Sequence, residues 1–484
     1  MTENVIDHSG LFIGGEWVAP SSSARITVVG ASTEEVIGSV PEAAEADVDA
    51  AVAAARRAFV DPSGWSSWSP GDRAAAMERF ADALEARGPA VARAVSAQNG
   101  MPIAISSAFE ATFPAVLLRY YAGVIRGASF EREHPGLMGG SIVVRSEPMG
   151  VVGSIVPWNF PQSLAAFKYA PALAAGCTLV MKPSPETVLD AVELAEAVRE
   201  AGIPAGVVNI VPGGREVGAY LVSHPGVDKV SFTGSTAAGR SIGETCGRLL
   251  RPVTLELGGK SAAIILDDAE LDLAKMGQEL FQATMLNNGQ TCFLGTRVLA
   301  PRSRYAEVVD AFAALAGSLT VGDALDSSTQ VGPLATDRQR DRVEGYIAKG
   351  KAEGARVVVG GGRPVGRDKG WFVEPTIFAD VDNNHTIAQE EIFGPVLSLI
   401  PYSDEADAVR IANDSDFGLG GSVWTSDRER GLGVARRVQT GSIGINHYLP
   451  DPTAPFGGVK ASGLGRELSP EAIGYYQQYK TIYA

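Results

Sequence analysis

Three cysteines in 484 residues, Cys177, Cys246 and Cys292, are too few for a disulfide framework. They point to a reducing compartment, where a lone thiol stays available for chemistry. The five histidines, His8, His134, His224, His385 and His447, are scattered singly. None forms an HExxH or a Cys/His pair at ligand spacing, so no metal site is expected. Long apolar runs are missing too. None approaches the ~18 consecutive residues of a membrane span, and the polar N-terminus has neither the basic region nor the apolar core of a leader. The expected location is the cytoplasm. Positive charge is in deficit: 41 Lys and Arg stand against 56 Asp and Glu, a net charge of −15. Such a surface repels phosphate backbones and anionic lipid, so neither nucleic acid nor membrane is an expected partner. There is no low-complexity tract, long linker or fixed-period repeat.

What is present is an ordinary globular composition, 45% hydrophobic and 20% charged. At ~150 residues per domain, the length suggests about three domains or two large ones. Residues 45–59 place Val48, Val52, Ala55 and Phe59 on one helical face, and residues 72–97 continue the helical pattern with a break at Gly88-Pro89. From residue 151 the pattern alternates. Short apolar runs at 151–156, 177–181, 207–211, 227–232 and 253–257 are separated by helical stretches. Ser184 reads as the N-cap of a helix that starts at Pro185 and stops at Gly202. This alternation predicts an α/β fold with a parallel, doubly wound sheet. Ligands of such sheets bind beyond the carboxyl ends of the strands. There the sequence carries Asn159, Lys182, Gly213-Gly214, Gly234-Ser235 and Glu256. Residues 141–146 alternate like an exposed strand, and the tyrosine-bearing 475–484 also reads as a strand. Both are candidates for pairing across subunits.

Four features bear on chemistry. Cys292 follows a helical stretch in a Gly-containing loop, where it is either a nucleophile or a small packing residue. Glu256 ends a central strand before two glycines. It is either a general base for water or an ion-pair partner of Lys260 or Arg251. Asn159 lies between Pro157 and Pro161, either as an oxyanion donor or as an Asx-turn or helix cap. Residues 232–239 (FTGSTAAG) read as strand, glycine turn and helix start, a backbone arrangement that faces a pyrophosphate. The GxGxxG fingerprint is absent.

Together these features resemble the aldehyde dehydrogenase superfamily. The motifs are PWNFP at 157–161, Lys182-Pro-Ser, FTGST at 232–236, LELGGK at 255–260 and GQTC at 289–292. They continue with EEIFGP at 390–395, PFGG at 455–458, Ser462-Gly463 and Gly465-Arg466-Glu467. The resemblance implies a Rossmann-like cofactor domain (1–129 and 147–257), an α/β catalytic domain (258–466) and a small β oligomerisation element (130–146 and 467–484). It implies that the Cys292 thiolate adds to an aldehyde carbonyl, with the oxyanion held by Asn159 and the Cys292 N–H. Hydride leaves for a nicotinamide, and Glu256 activates the water that releases the acid. The site must then help to form the thiolate. It places Lys182 and Ser184 on the adenosine ribose, and Gly214 and Gly218 at the adenine. Ser235 then meets the pyrophosphate, Glu391 the nicotinamide ribose and Phe393 the nicotinamide. Ile155, Val156, Pro157, Trp158, Phe232, Gly234, Leu257 and Gln339 complete the cofactor set.

Alignment of the motifs puts Phe160, Phe167, Phe293, Tyr448, Leu449 and Phe456 in the aldehyde tunnel. This set favours a hydrophobic or aromatic aldehyde over a semialdehyde acid. Two rivals are a coenzyme A-acylating (semi)aldehyde dehydrogenase, which needs no water-activating glutamate, and a non-redox cysteine hydrolase or acyltransferase, which needs a histidine partner. The cofactor expected is NAD, with NADP as the alternative. Pro185 stands where many NAD-preferring members carry a glutamate. Glu186 follows it, in what reads as a first helical turn, and Arg215 is the one cation foreseen at the adenosine end. A homodimer or homotetramer is implied.

Overall fold

The five apolar runs after residue 150 form one parallel sheet, in the order Val253–Glu256, Lys229–Thr233, Val151–Ile155, Thr178–Lys182, Val208–Ile210. This is seen in a computed structural model that describes residues 6–484. The first of these strands in sequence lies at the centre, so the strand order reverses beside it. A crevice opens there, between the loops that follow Ile155 and Thr233. Gly463–Leu464 adds antiparallel to one edge; Leu11–Ile13 and Glu16–Val18 extend the other. The polar opening segment lies partly outside the described residues.

The helices expected from periodicity are Glu45–Val60, Pro70–Ala86 and Gly88–Asn99. Pro161–Ala175 is buried along its whole length. A helix without a polar face belongs inside the molecule, and each large apolar side chain buried there contributes roughly 1.5–3 kcal/mol.

A second sheet follows, ordered Arg356–Val359, Thr376–Ala379, Val396–Tyr402, Arg297–Pro301, Ala262–Ile265, Gly421–Trp424, Gly444–Ile445. It is parallel except at Arg356–Val359. The α/β, doubly wound class read from the sequence is the class of this fold.

Three local readings differ. The helix assigned to Pro185 begins only at Asp190, so Ser184 is not its N-cap and Glu186 is not in its first turn. A neighbouring helix supplies what the local cap was expected to supply. Gln98 accepts from the Leu189 N–H (2.8 Å) and donates to the Asp190 carboxylate (3.0 Å). Residues 470–476 form a 3₁₀ turn, and the last strand is Gln477–Tyr483. It pairs antiparallel with Ser141–Pro148 of the same chain, while its other edge has no strand beside it among the described residues. Finally, Ile6–Asp7, Arg25–Val29 and Val36–Pro41 form a small sheet that the sequence reading did not anticipate.

Candidate active site

Cys292 is presented by an unusual turn. Asn287, Asn288 and Gly289 all have positive φ (53°, 59° and 74°). Left-handed backbone costs roughly 1–2 kcal/mol per residue outside glycine, least for Asn. Side-chain amides hold it in place. Asn288 donates to the carbonyls of Gly100 (2.8 Å) and Pro333 (2.9 Å) and accepts from the Gly332 N–H (2.7 Å). Asn287 donates to the Asn159 carbonyl at 3.0 Å. A Cβ on Gly289 would stand 2.0 Å from the Gly394 oxygen, and one on Gly259 would stand 2.3 Å from the Cys292 oxygen. The glycines of GQTC and LELGGK are therefore required by close backbone approach.

Two cavities meet at this turn. A cleft of about 390 Å³ is lined by Pro157–Asn159, Thr233–Ser235, Leu257, Gly258, Arg338, Gln339, Arg342, Glu391 and Phe393. A narrower cavity of about 70 Å³ is lined by Phe109, Phe113, Phe160, Phe167, Phe293 and Phe456, with Ser163, Leu164, Leu286, Thr291, Leu449 and Pro450. Among the described residues, only Asn159 and Cys292 line both.

Asn159 is buried, and its amide donates to the Gln290 carbonyl at 2.9 Å. Its own carbonyl accepts from Asn99 (3.3 Å) and Asn287 (3.0 Å). It does not cap the following helix, whose N-terminal flank is Phe160. The side chain is thus fixed beside the thiol.

Glu256 ends its strand 3% exposed, and neither carboxylate oxygen has a hydrogen-bond partner. The ion pairs weighed for it do not form. Arg251 donates to the carbonyls of Val222 and His224, and the Lys260 ammonium is itself buried without a partner. Burial, with the Glu467 carboxylate next, raises the Glu256 carboxyl well above the usual range; Lys168 and Arg466 moderate this. Lys168 is committed elsewhere, to Glu467 (2.7 Å) and Thr233 (2.5 Å). Gly457 has φ +150°, and a Cβ there would lie 2.5 Å from Glu256 Oε1. A carboxyl poised above its normal range suits proton abstraction from water near neutrality.

The Cys292 thiol is also pushed up strongly, first by burial and then by the Glu391 and Glu256 carboxylates. The side chains around it therefore favour the protonated thiol.

The larger cleft has features that suit the nicotinamide and diphosphate part of a dinucleotide. Ser235 caps the helix Thr236–Arg248, accepting from the Ala238 N–H at 3.3 Å, so a helix N-terminus faces the cleft where an anionic diphosphate is favoured. Glu391 accepts from the Gly259 N–H at 3.0 Å, and Gly258 gives its carboxylate room, since a Cβ would lie 2.4 Å away. Trp158 and Phe393 meet edge to face at 5.3 Å, and Gln339 donates to the Phe393 carbonyl at 2.7 Å.

The remaining predicted cofactor residues lie outside this cleft. Ile155, Val156 and Phe232 are buried at the strand ends. Lys182 is buried, donating to the carbonyls of Gly213 (2.6 Å) and Pro183 (3.0 Å), and burial lowers its pKa to about 8. Gly218 lies against the Lys182 side chain, and the Gly214 N–H donates to Glu42 at 3.0 Å. Ser184 donates to Glu186, which also accepts from Arg338 at 3.0 Å. Glu42 and Arg338 were not foreseen at this end, and no short motif marks either.

Of the predicted substrate residues, Phe160, Phe167, Phe293, Leu449 and Phe456 line the narrower cavity. Tyr448 does not; its ring supports Phe293 edge to face at 5.1 Å, and its hydroxyl pairs with Ser442. Phe109 and Phe113 were missed. Their only sequence signal is apolarity on a helix, which is the signal of any core residue.

The histidine partner that a hydrolase needs is absent, since the rings hydrogen-bond elsewhere: His8 with Gly10, His134 with Pro135, His224 with Asp49, His385 with Asp382, and His447 with Ile445.

Comparison with known proteins agrees over the whole length. Residues 17–482 match the model of the aldehyde dehydrogenase family. The chain is 57% identical over 478 residues to a geranial dehydrogenase of Castellaniella defragrans, covering 99% of each protein. It is similar to a Mycobacterium tuberculosis aldehyde dehydrogenase solved with NAD+, at 49% identity, TM-score 0.96 and 99% coverage of both chains. A Pseudomonas syringae aldehyde dehydrogenase C variant, solved with NAD+ and octanal, matches at 40% identity and TM-score 0.94, over 98% of this chain and 96% of that one. With these matches and a cysteine set between two cavities, the chain belongs to the aldehyde dehydrogenase family of oxidoreductases.

Proposed function

We propose that the enzyme oxidises apolar aldehydes to the corresponding carboxylic acids with NAD, using Cys292 as nucleophile, Asn159 as oxyanion donor and Glu256 as general base. The observation that carries this reading is that, among the described residues, only Cys292 and Asn159 line both the larger cleft and the narrow apolar cavity. A carbonyl held in the narrow cavity meets Sγ at the floor of the cleft. Attack forms the S–C bond as the thiol proton is released to solvent, and leaves an oxyanion, which the Asn159 amide and the Cys292 N–H receive; one such donor typically contributes about 3 kcal/mol. A nicotinamide in the cleft supplies the hydride acceptor. Glu256 then takes a proton from water as the water attacks the thioester carbon, and the acid leaves as the thiol is restored.

Ser235, Glu391, Phe393, Lys182, Ser184, Gly214 and Gly218 serve the cofactor in this reading, with Trp158, Leu257 and Gln339 along the cleft wall. Glu42 and Glu186 bring negative charge to the adenosine end and disfavour a 2′-phosphate, which supports NAD over NADP. No charged residue lines the narrow cavity, which supports an apolar substrate. So does the name of the geranial dehydrogenase it resembles.

The free edge of Gln477–Tyr483, with Tyr479 and Tyr483 exposed, supports a homodimer or homotetramer. The three free cysteines support a cytoplasmic location. No helix among the described residues is long and apolar enough to cross a membrane. The functional test is NADH formation over a panel of aldehydes, with and without coenzyme A. Steady turnover without coenzyme A is expected; a strict requirement for it would overturn the hydrolytic step.

A further inference from the structure

The narrow cavity beside Cys292 is about 70 Å³, against about 390 Å³ for the adjoining cleft. It suits the reacting end of an aldehyde better than a long tail. Two larger spaces adjoin it. One, of about 500 Å³, lies over the loop 442–456 and carries Arg428, His447 and Asp451 on its wall. The other, of about 490 Å³, lies between the helices Ile103–Phe109, Leu273–Thr284 and Tyr305–Ser318. Its wall includes Ile105, Leu273, Phe281, Leu315 and Leu319, and no charged residue lines it. Phe109 and Leu286 line both this space and the thiol cavity, so these two side chains are the partition between them.

We infer that the cavity behind Phe109 and Leu286 receives the apolar tail of the aldehyde, and that Phe109 is the movable part of the partition. This rests on the aldehyde-oxidising reading above and extends it to the shape of the substrate. The backbone at Phe109 is held on both sides. Its carbonyl accepts from Ser163 Oγ at 3.3 Å, and the adjoining Glu110 carboxylate accepts from the Gln162 N–H at 2.7 Å. Access thus opens by rotation of the ring, which is half-buried and meets Phe160 edge to face at 6.1 Å. A tail passing over the 442–456 loop instead would lie against three ionisable side chains. A tail between the helices meets the five apolar side chains named above, with Gln278, Gln282, Ser318, Thr329 and Gln330 also on the wall and no charged side chain among the described residues, which favours an alkyl or alkenyl chain there.

The test fills the outer cavity without touching the partition. Gly277 lines its far wall, and a Cβ there meets only Leu273 at 3.6 Å. Gly277→Leu also replaces glycine inside a helix by a better helix former, so folding is retained. Ala108→Leu, at an exposed lining position on the helix Ile103–Phe109, is the second variant should the first fail to fold. The readout is the ratio of kcat/KM for decanal to that for propanal. The expected result is a fall of about tenfold or more in that ratio in either variant, the scale on which a filled apolar pocket discriminates chain length. An unchanged or increased ratio overturns the inference, as does a ratio that responds to His447→Trp and not to Gly277→Leu. If the wild-type enzyme reduces NAD with neither aldehyde, it is the proposed function that fails.

Discussion

The two spaces that meet at Cys292 are built by different means. The larger cleft is walled mainly by loops that follow strands, and its shape depends on glycines at 234, 258 and 259 and on a positive φ at Phe393. A Cβ at Gly259 would collide with the Cys292 carbonyl, and Cβ atoms at Gly234 and Gly258 would collide with the Phe232 ring and the Glu391 carboxylate, so the cleft depends on close backbone approach. The narrow cavity is walled largely by rings projecting from helices and loops, whose volumes alone set its size. A backbone-defined site admits one ligand shape and writes itself into short motifs. A volume-defined site can be reshaped one side chain at a time, and leaves only a scatter of apolar residues in the sequence.

Removing the shared thiol separates the two sides most sharply. Cys292→Ala is expected to lower aldehyde oxidation by about 10⁴-fold or more, the scale seen when a nucleophile is lost. NADH binding, followed by fluorescence titration, is expected to survive, because the cleft wall is otherwise intact. Loss of both would show that the sides are not independent.

Glu256→Gln tests the proposed water step. Turnover is expected to fall by about 10²–10⁴-fold, with a burst of NADH approaching one per active site. The pH dependence follows from the raised carboxyl. Protonated Glu256 cannot accept from water, so wild-type turnover climbs as pH rises through a pKa above the usual carboxylate range. A pH–rate profile of the variant is expected to lose that rise. A variant that keeps it assigns the rise to another group.

Asn159→Ala leaves thiol and base in place and removes one oxyanion donor. A loss of about 10²–10³ in kcat with little change in KM is expected. Equal damage to KM would mean that the residue acts on the resting aldehyde.

The smallest effect is sought just outside the cleft, where Arg338 of its wall meets Glu186. Glu186→Gln frees Arg338, which now pairs with it. The preference for NAD over NADP is expected to narrow by about tenfold, or 1.4 kcal/mol, in kcat/KM. No change would take Glu186 out of cofactor selection.

How far the sequence was readable follows the same division. The strand ends that build the cleft were visible because a period-two or continuous apolar run stops at a glycine or polar residue. Ser184 misled because a local capping signal was overridden by Gln98, on a helix 91 residues earlier. Arg338 reaches Glu186 across 152 residues, and no local pattern encodes that. Phe109, Phe113 and Leu286 look like any core residue until the helices carrying them are packed. The short N-terminal strands, two to six residues each, were too brief to show a period.

Glu467 and the strand Gly463–Leu464 have a consequence for how the molecule is made. The strand that ends in Glu256 gains its outer neighbour only from Gly463, and buried Lys168 meets Glu467 across 299 residues. These two contacts form only when nearly the entire chain is present. Until then Lys168 lacks its Glu467 partner, and the Glu256 strand offers a bare edge. Nascent or clipped chains ending before residue 463 are thus marked as unfinished, open to chaperone capture and proteolysis.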